Sequence, residues 1–537
     1  MKKYILTLVF PAFLAGTVTT VYGQDVNEDV LNWYNTKKVG MATDKALKKL
    51  KRKTADTVIV AVIDSGVDVD HENLQGKIWV NKGEIPGNGK DDDGNGYVDD
   101  VHGWNFLGNK EGESQGPARL ESTRIYASLR DKFEELEEDS TFTVESLSEE
   151  DRKAYELYKE VEEEVLVSRE QYKSAISQIE QASQMKPMLV QMIANMLEVE
   201  DEEFTEEDLE EYEPENQQEE EMVQLGYTIL RGEFEDLMAE QLKAITSRYE
   251  YHYNPDYDDR ALIGDDPMDM EDLDYGNNDY QGPDAMHGTH VSGIIGAVRG
   301  NGIGNDGVAP NAIIMSLRAV PDGDEFDKDI ALAIRYAVDN GANIINASFG
   351  KAYSVMPEEV YEALRYAEEN DVLFVHAAGN SGQNLHEYPN YPANMFPFQQ
   401  EPFTNYLSVG ASTRTHEEKL AASFSNYGET RVDVFAPGFE IYSTVPDNKY
   451  VKTQGTSMAA PMVSGVAAVI KGYFPELTMV EVREVIMESV TDFSETMQIK
   501  PGSEEMISFG ELSRTGGVVN VLNAIKLAKK KVKAKKK

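Results

Sequence analysis

The sequence predicts a doubly wound α/β fold, a mostly parallel sheet with helices on both faces, into which an acidic and mainly helical subdomain is inserted. Three observations carry this. Residues 57–63, Thr-Val-Ile-Val-Ala-Val-Ile, form a continuous β-branched run, the pattern of a strand buried on both faces of a parallel sheet. Similar runs recur at 313–317, 343–347, 372–377, 406–410 and 432–435, and helical patterns such as 327–339 and 357–369 fall between several of them. From 111 to 280 the strand-type runs stop and apolar residues recur at helical spacing, as at Tyr155, Tyr158, Val161 and Val165.

In chain order, Lys2 and Lys3 precede an apolar run over 4–15, which gives way to small and polar residues up to Gly23. This is the layout of a signal peptide over 1–23, cleaved near Gln24. Thr17, Thr19 and Thr20 interrupt the run well short of a membrane span. No other segment is apolar enough to cross a bilayer, so no stable membrane insertion is expected after cleavage. The chain contains no cysteine, which excludes a disulfide framework and a lipoprotein thiol. The expected product is exported and soluble, in the medium, the periplasm or at the cell surface.

Residues 24–56 read as a short N-terminal extension. The α/β domain occupies 57–110 and 281–528, split by the insertion at 111–280, and helices are expected near 480–490 and 518–528. Residues 529–537 form a lysine-rich tail expected to be solvated. The insertion holds 50 of the 96 acidic residues and 14 of the 51 basic ones, so −36 of the formal charge of −45 resides there. Within it 202–221 is acidic enough to be expected as a solvated linker. Such a charge argues against nucleic-acid partners, whose phosphates require clustered Lys and Arg.

Four short stretches bring together residue types suited to catalysis. In Gly455-Thr456-Ser457-Met458-Ala459-Ala460-Pro461 a tight turn leads into a helix that is small and apolar all round, and so buried. Ser457 at its start reads either as an N-cap or as a nucleophile. His287 stands at the head of a second small-residue helix, with His290 one turn on. A histidine pair three apart could ligate zinc, but the intervening Glu of the zincin pattern is missing. Asp64 ends the buried 57–63 run, as either a loop acid or a catalytic carboxylate. Asn380 follows 372–377 in Ala377-Ala378-Gly379-Asn380-Ser381, as a turn residue or a hydrogen-bond donor.

The order Asp64, His287, Ser457 is that of the subtilisin triad. The motifs Val62-Ile63-Asp64-Ser65-Gly66, His287-Gly288-Thr289-His290, Ala378-Gly379-Asn380 and Gly455-Thr456-Ser457 together resemble those of the subtilisin-like serine proteases, peptidase family S8. The resemblance covers 57–107 and 284–528 and leaves the insertion unaddressed. It implies a subtilisin-like fold and a secreted endopeptidase acting on polypeptides through an acyl-enzyme. Ser457 would be the nucleophile, His287 the general base, Asp64 its orienting carboxylate and Asn380 the oxyanion donor. Ser348-Phe349-Gly350 would pair with an extended peptide, while Ala378 and Gly379 border the specificity pocket. Two rivals are an acidic scaffold built on the same fold and an esterase using the same triad. Where the family separates the Asp and His motifs by a few dozen residues, this chain sets Asp64 and His287 223 positions apart.

Calcium is the expected structural cofactor. Asp91, Asp93, Asn95 and Asp99 fall at the alternating spacing of an EF-type loop, with Gly96 at the sharp turn and His102 in place of the closing Glu. By resemblance, Asn301 and Asn73 occupy the side-chain ligand positions of the family's calcium loop after the histidine helix. Asn73 is neutral where the family usually has Asp.

Overall fold

The computed structural model describes residues 31–37, 39–199, 204–415 and 417–537. The signal segment lies outside them. The described chain divides into two compact units, residues 122–257 and the remainder.

The larger unit is built on a nine-stranded sheet. Its strands in chain order are β1 Val58–Asp64, β2 Gly103–Asn105, β3 Ala312–Arg318, β4 Ile344–Ala347, β5 Leu373–Ala377, β6 Tyr406–Ser412 and β7 Val434–Pro437. A hairpin of β8 Ile441–Val445 and β9 Lys449–Thr453 follows, then β10 Thr491–Asp492, the small pair β11 Met497–Ile499 and β12 Met506–Ser508, and β13 Gly517–Val518. The sheet order is β10-β13-β7-β6-β5-β4-β1-β3-β2. Every pairing is parallel except β10 with β13.

β1 lies between β3 and β4, deep inside the sheet, which is why it is apolar at every position from Val58 to Ile63. Its side chains alternate between two apolar layers. Val58, Val60 and Val62 join the layer containing the helices Met286–Gly296 and Thr456–Tyr473. Ala61 and Ile63 join the layer containing Asp327–Asp339 and Pro357–Glu369. Complete burial of each such Val or Ile is worth roughly 1.5–3 kcal/mol. Asp64, Ala347 and Ala377 are the last residues of β1, β4 and β5, so the following loops gather at one end of the sheet. This carboxyl edge is where ligands bind in open α/β sheets.

The second unit is helical, with Glu149–Gln184, Lys186–Met196, Glu206–Glu211, Gln217–Leu230 and Phe234–Ser247. Tyr126, Phe133, Tyr155 and Tyr158 form one aromatic cluster, with Phe133 centred 5.2 and 5.3 Å from Tyr155 and Tyr158. Ile193, Ala194, Phe204, Leu209 and Val223 form another apolar core.

Three boundaries differ from expectation. The insertion, expected over 111–280, detaches only between 122 and 257, because its flanks are tied into the core unit. Asn105 and Asn277 exchange backbone hydrogen bonds of 2.9 and 3.1 Å, and Arg260 pairs with the buried carboxylates of Asp265 and Asp329. The stretch expected as a solvated linker over 202–221 carries the helix Glu206–Glu211, begun by a Thr205–Asp208 capping box and anchored by buried Leu209. The final helix, Val521–Lys535, runs through the lysine tail. There Lys531 bridges Glu484 and Glu488, Lys535 reaches Glu481, and Val532 is buried.

Candidate active site

Asp64 is buried at the end of β1, and its Oδ1 accepts the Ser65 N–H at 2.8 Å. The same oxygen lies 2.7 Å from Nδ1 of His287, in the first turn of Met286–Gly296. Nδ1 therefore carries the proton, and Nε2 is left as the free nitrogen of a neutral ring. Burial works to lower the His287 pKa, but the charge and hydrogen bond of Asp64, with Asp284 adding to them, hold it above the ordinary value. His290 is turned away. Its Nε2 lies 3.2 Å from both the Ile441 and Val451 carbonyls, and burial drops its pKa to about 3. It fastens the helix to the β8–β9 hairpin, so the two histidines do not converge as zinc ligands.

Gly455 precedes Thr456–Tyr473 with φ of 156°, a backbone setting that favours glycine. Ser457 is the second residue of that helix and half-buried. Its hydroxyl donates to the Ser348 carbonyl at 3.0 Å, and the Ser348 hydroxyl donates to the Ser457 carbonyl at 2.9 Å. No Ser457–His287 hydrogen bond occurs among the described residues. Catalytic hydrogen bonds are often long before substrate arrives, and a rotation about one side-chain torsion redirects a serine proton.

The amide of Asn380 is oriented by Thr456, whose N–H and Oγ1–H both donate to Asn380 Oδ1, at 2.8 and 2.9 Å. Nδ2 consequently faces the serine turn, 3.4 Å from where a Cβ on Gly455 would lie. Thr456 Oγ1 also accepts the Gly379 N–H at 3.0 Å. Asn426 clasps the same loop. Its Nδ2 donates to Ala378 O at 2.9 Å, its Oδ1 accepts from Ser381 and Gln383, and its N–H donates to Gly379 O.

Ser348, Phe349 and Gly350 continue from β4, passing from buried to exposed, and His376 Nε2 donates to Phe349 O at 2.8 Å. Beside them a cavity of about 340 Å³ is bordered by Asn390, Tyr391, Phe396 and Arg431.

Sequence reasoning missed Thr456, Asn426 and the β8–β9 hairpin. For the hairpin the available signal was Asp447-Asn448, which takes positive φ at both turn positions. Asn426 is spaced from its partners only by the fold and left no local signal.

Of the expected calcium ligands, Asp91, Asp93 and Asn95 share one turn, where the Asn95 N–H reaches both carboxylates, while Asp99 does not join them. Asp91 accepts from the N–H groups of Gly94, Asn95 and Gly96, capping its own turn. Asp99 is turned the other way, accepting from Gly87, Asn88 and Gly89 at 2.7–3.2 Å. Asn95 Oδ1 is taken by the Tyr97 N–H, and of the three carboxylates in the set only Asp93 belongs to another cluster, Glu84–Asp93–Asp100, to which Asn95 donates through Nδ2. Asn73 and Asn301 do not fit a cation either. Asn301 Nδ2 donates to Asn73 Oδ1 at 2.7 Å, and Asn73 Nδ2 donates to the Ile303 and Asn305 carbonyls. The amide thus satisfies the loop carbonyls that a cation would otherwise gather.

Comparison with known proteins gives one family model, described as the Subtilase family, matching residues 55–510. Among curated relatives, the thermophilic serine proteinase of Bacillus sp. (strain AK1) is 36% identical over 259 residues, covering 48% of this chain and 58% of the relative. The thermostable alkaline protease of Halalkalibacterium halodurans is 36% identical over 206 residues, 38% of this chain and 52% of the relative. Subtilisin BL of Lederbergia lenta is 36% identical over 212 residues, 39% of this chain and 72% of the relative. The chain thus spans about half the length of the first two.

Proposed function

The chain belongs to the subtilase family, and we propose that it is an exported serine endopeptidase that cleaves polypeptides through an acyl-enzyme. The observation that carries this reading is the 2.7 Å contact between Asp64 and His287 Nδ1, which leaves Nε2 as a base at the same sheet edge as the Ser457 turn.

In this reading, an extended substrate lays its backbone along Ser348–Phe349–Gly350, with the side chain before the cut bordered by Ala378 and Gly379. The Ser457 hydroxyl turns from Ser348 O to His287 Nε2. Its oxygen attacks the scissile carbonyl as His287 takes the proton. Asp64 keeps the imidazole in the required tautomer and stabilises the cation that forms. The oxyanion receives the Asn380 Nδ2–H and the Ser457 backbone N–H, free because it lies in the first helical turn. His287 then protonates the leaving amine, and water reverses the sequence to release the acid. Export rests on the composition of residues 1–23, and among the described residues no helix is long and apolar enough to cross a membrane. A hard divalent cation, calcium, is the proposed structural cofactor.

The test is labelling with a fluorophosphonate, which reacts only with an activated serine. The reading expects a single adduct on Ser457, lost in Ser457→Ala, and cleavage of a peptide library with the same dependence. A folded protein that takes no label and cuts no peptide overturns it in favour of a scaffold. Labelling together with hydrolysis of esters alone would favour an esterase.

A further inference from the structure

The loop between Trp79 and Gly103 brings together three carboxylates, of which the EF-type spacing selects only Asp93. Glu84, Asp93 and Asp100 each present one carboxylate oxygen, all within 4.8 Å of one another. Glu84 and Asp100 are buried, and Asp93 opens to solvent. Among the described residues, none of the three forms an ion pair with Lys or Arg. Three like charges held this close are mutually repulsive, and the repulsion grows as water is excluded.

Glu84 supplies an independent sign. It is 7% exposed, and its Oε1 accepts the N–H groups of Asp92 and Asp93 at 2.9 and 3.2 Å. Its Oε2 is buried and has no partner. A buried carboxylate oxygen left without a donor or cation costs more than most native structures tolerate. The surroundings otherwise hold the cluster firmly. Asn81 Nδ2 donates to Asp93 Oδ2 at 2.9 Å and to Asp100 Oδ1 at 2.7 Å, while Asn95 Nδ2 and the Tyr336 hydroxyl donate to Asp100 Oδ2. Asn81 is itself fixed by the Gly83 N–H on its Oδ1. A side chain at 83 would have its Cβ 2.7 Å from Asp93 Oδ2, so glycine there lets the Glu84 turn close onto Asp93.

We propose that Glu84, Asp93 and Asp100 form a divalent-cation site, in place of the Asp91, Asp93, Asn95 and Asp99 set. It deepens the calcium reading above and is independent of the proteolytic one. The donors are all carboxylate oxygens, with neither His nor Cys, which selects a hard cation. Calcium suits it better than magnesium, because it accepts six to eight oxygens in irregular geometry, and the open side at Asp93 admits water to complete the shell. The cation would tie residues 84–100 to the helix Asp327–Asp339 through the Asp100–Tyr336 hydrogen bond.

The experiment uses the full chain carrying Ser457→Ala, so that self-cleavage cannot enter and the outcome does not depend on catalysis. Terbium is the probe, excited through Tyr336 and the neighbouring Tyr97–Trp104 pair, whose rings are centred 5.1 Å apart. The proposal expects sensitised terbium emission that calcium displaces, and a melting temperature that rises from chelator to millimolar calcium. Glu84→Gln and Asp100→Asn should each weaken cation binding at least about tenfold and remove most of the thermal rise. Asp91→Asn should leave both intact. If the buried variants fail to fold, solvent-open Asp93→Asn gives the same reading against Asp91→Asn. Absence of any calcium-dependent signal overturns the site, and loss of binding in Asp91→Asn with retention in Glu84→Gln restores the EF-type set.

Discussion

The imidazole of His287 is held between burial, which favours its neutral form, and the Asp64 carboxylate, which favours the cation and prevails. A general base must be neutral, so kcat/KM should fall on the acid side with a midpoint above the ordinary imidazole value. Asp64→Asn removes the main raising influence, and its midpoint should move to lower pH while kcat drops by about 10⁴. A pH–rate profile of the two proteins checks this, and an unmoved midpoint would refute the assignment. Asn380 is bound through Oδ1 alone, which reserves Nδ2 for a charge that exists only in the transition state. Asn380→Ala should therefore lower kcat by about 10²–10³ with little change in KM, a magnitude carried over from subtilisin, a member of the same family. Steady-state kinetics on one peptide decide it.

At the scale of elements, the segment leading into Asp327–Asp339 holds Glu325, wholly buried, whose carboxyl is pushed up to about 8 by burial, with Lys351 opposing. Between the usual glutamate value of 4.5 and about 8 the native state holds a proton that the unfolded chain has released. This contribution to stability must therefore fall as pH rises through that window. Thermal unfolding from pH 5 to 8 should show a decline that Glu325→Gln reduces; an identical decline in both proteins would exclude the residue. The C-terminal helix is docked by apolar contacts more than by its lysines. Lys531→Ala removes bridges to Glu484 and Glu488 yet should cost no more than about 1 kcal/mol in denaturant unfolding, with high salt shrinking the difference.

For the whole molecule, the chain leaves the core unit after Glu121 and returns at Asp258. The two crossing points are held side by side within that unit, where Arg119 pairs with Asp259 through both its backbone N–H and its Nε, each at 2.6 Å. Replacing 122–257 by a short Gly/Ser linker should therefore leave a folded core. It should retain far-ultraviolet circular dichroism and hydrolysis of a short peptide. A variant that neither folds nor cleaves would mean that the helical unit is needed by the core.

Sequence alone determined the α/β class, the helices 327–339 and 357–369, the strand ending in Asp64 and the four motifs of the site. Each is written in local signals: β-branched runs that must be buried on both faces, amphipathic periodicity, and turns that demand glycine. The meeting of Asp64 with His287 across 223 positions was legible only through the order of the motifs and their resemblance to a family. Tertiary structure decided the rest, because the rest depends on which groups compete for each polar atom. Asp99 fits a calcium loop by spacing, yet three backbone N–H groups at 87–89 claim its carboxylate. Glu84, outside the spacing altogether, is left with the unsatisfied oxygen. Thr456 and Asn426, from two separate stretches of the chain, hold the loop at Gly379 and so shape the oxyanion side of the site. The lysine tail continues a helix that buries Ile525, Ala528 and Val532 in the main core, with Glu481, Glu484 and Glu488 beside its lysines, a pairing of distant stretches that no segment of sequence read by itself contains.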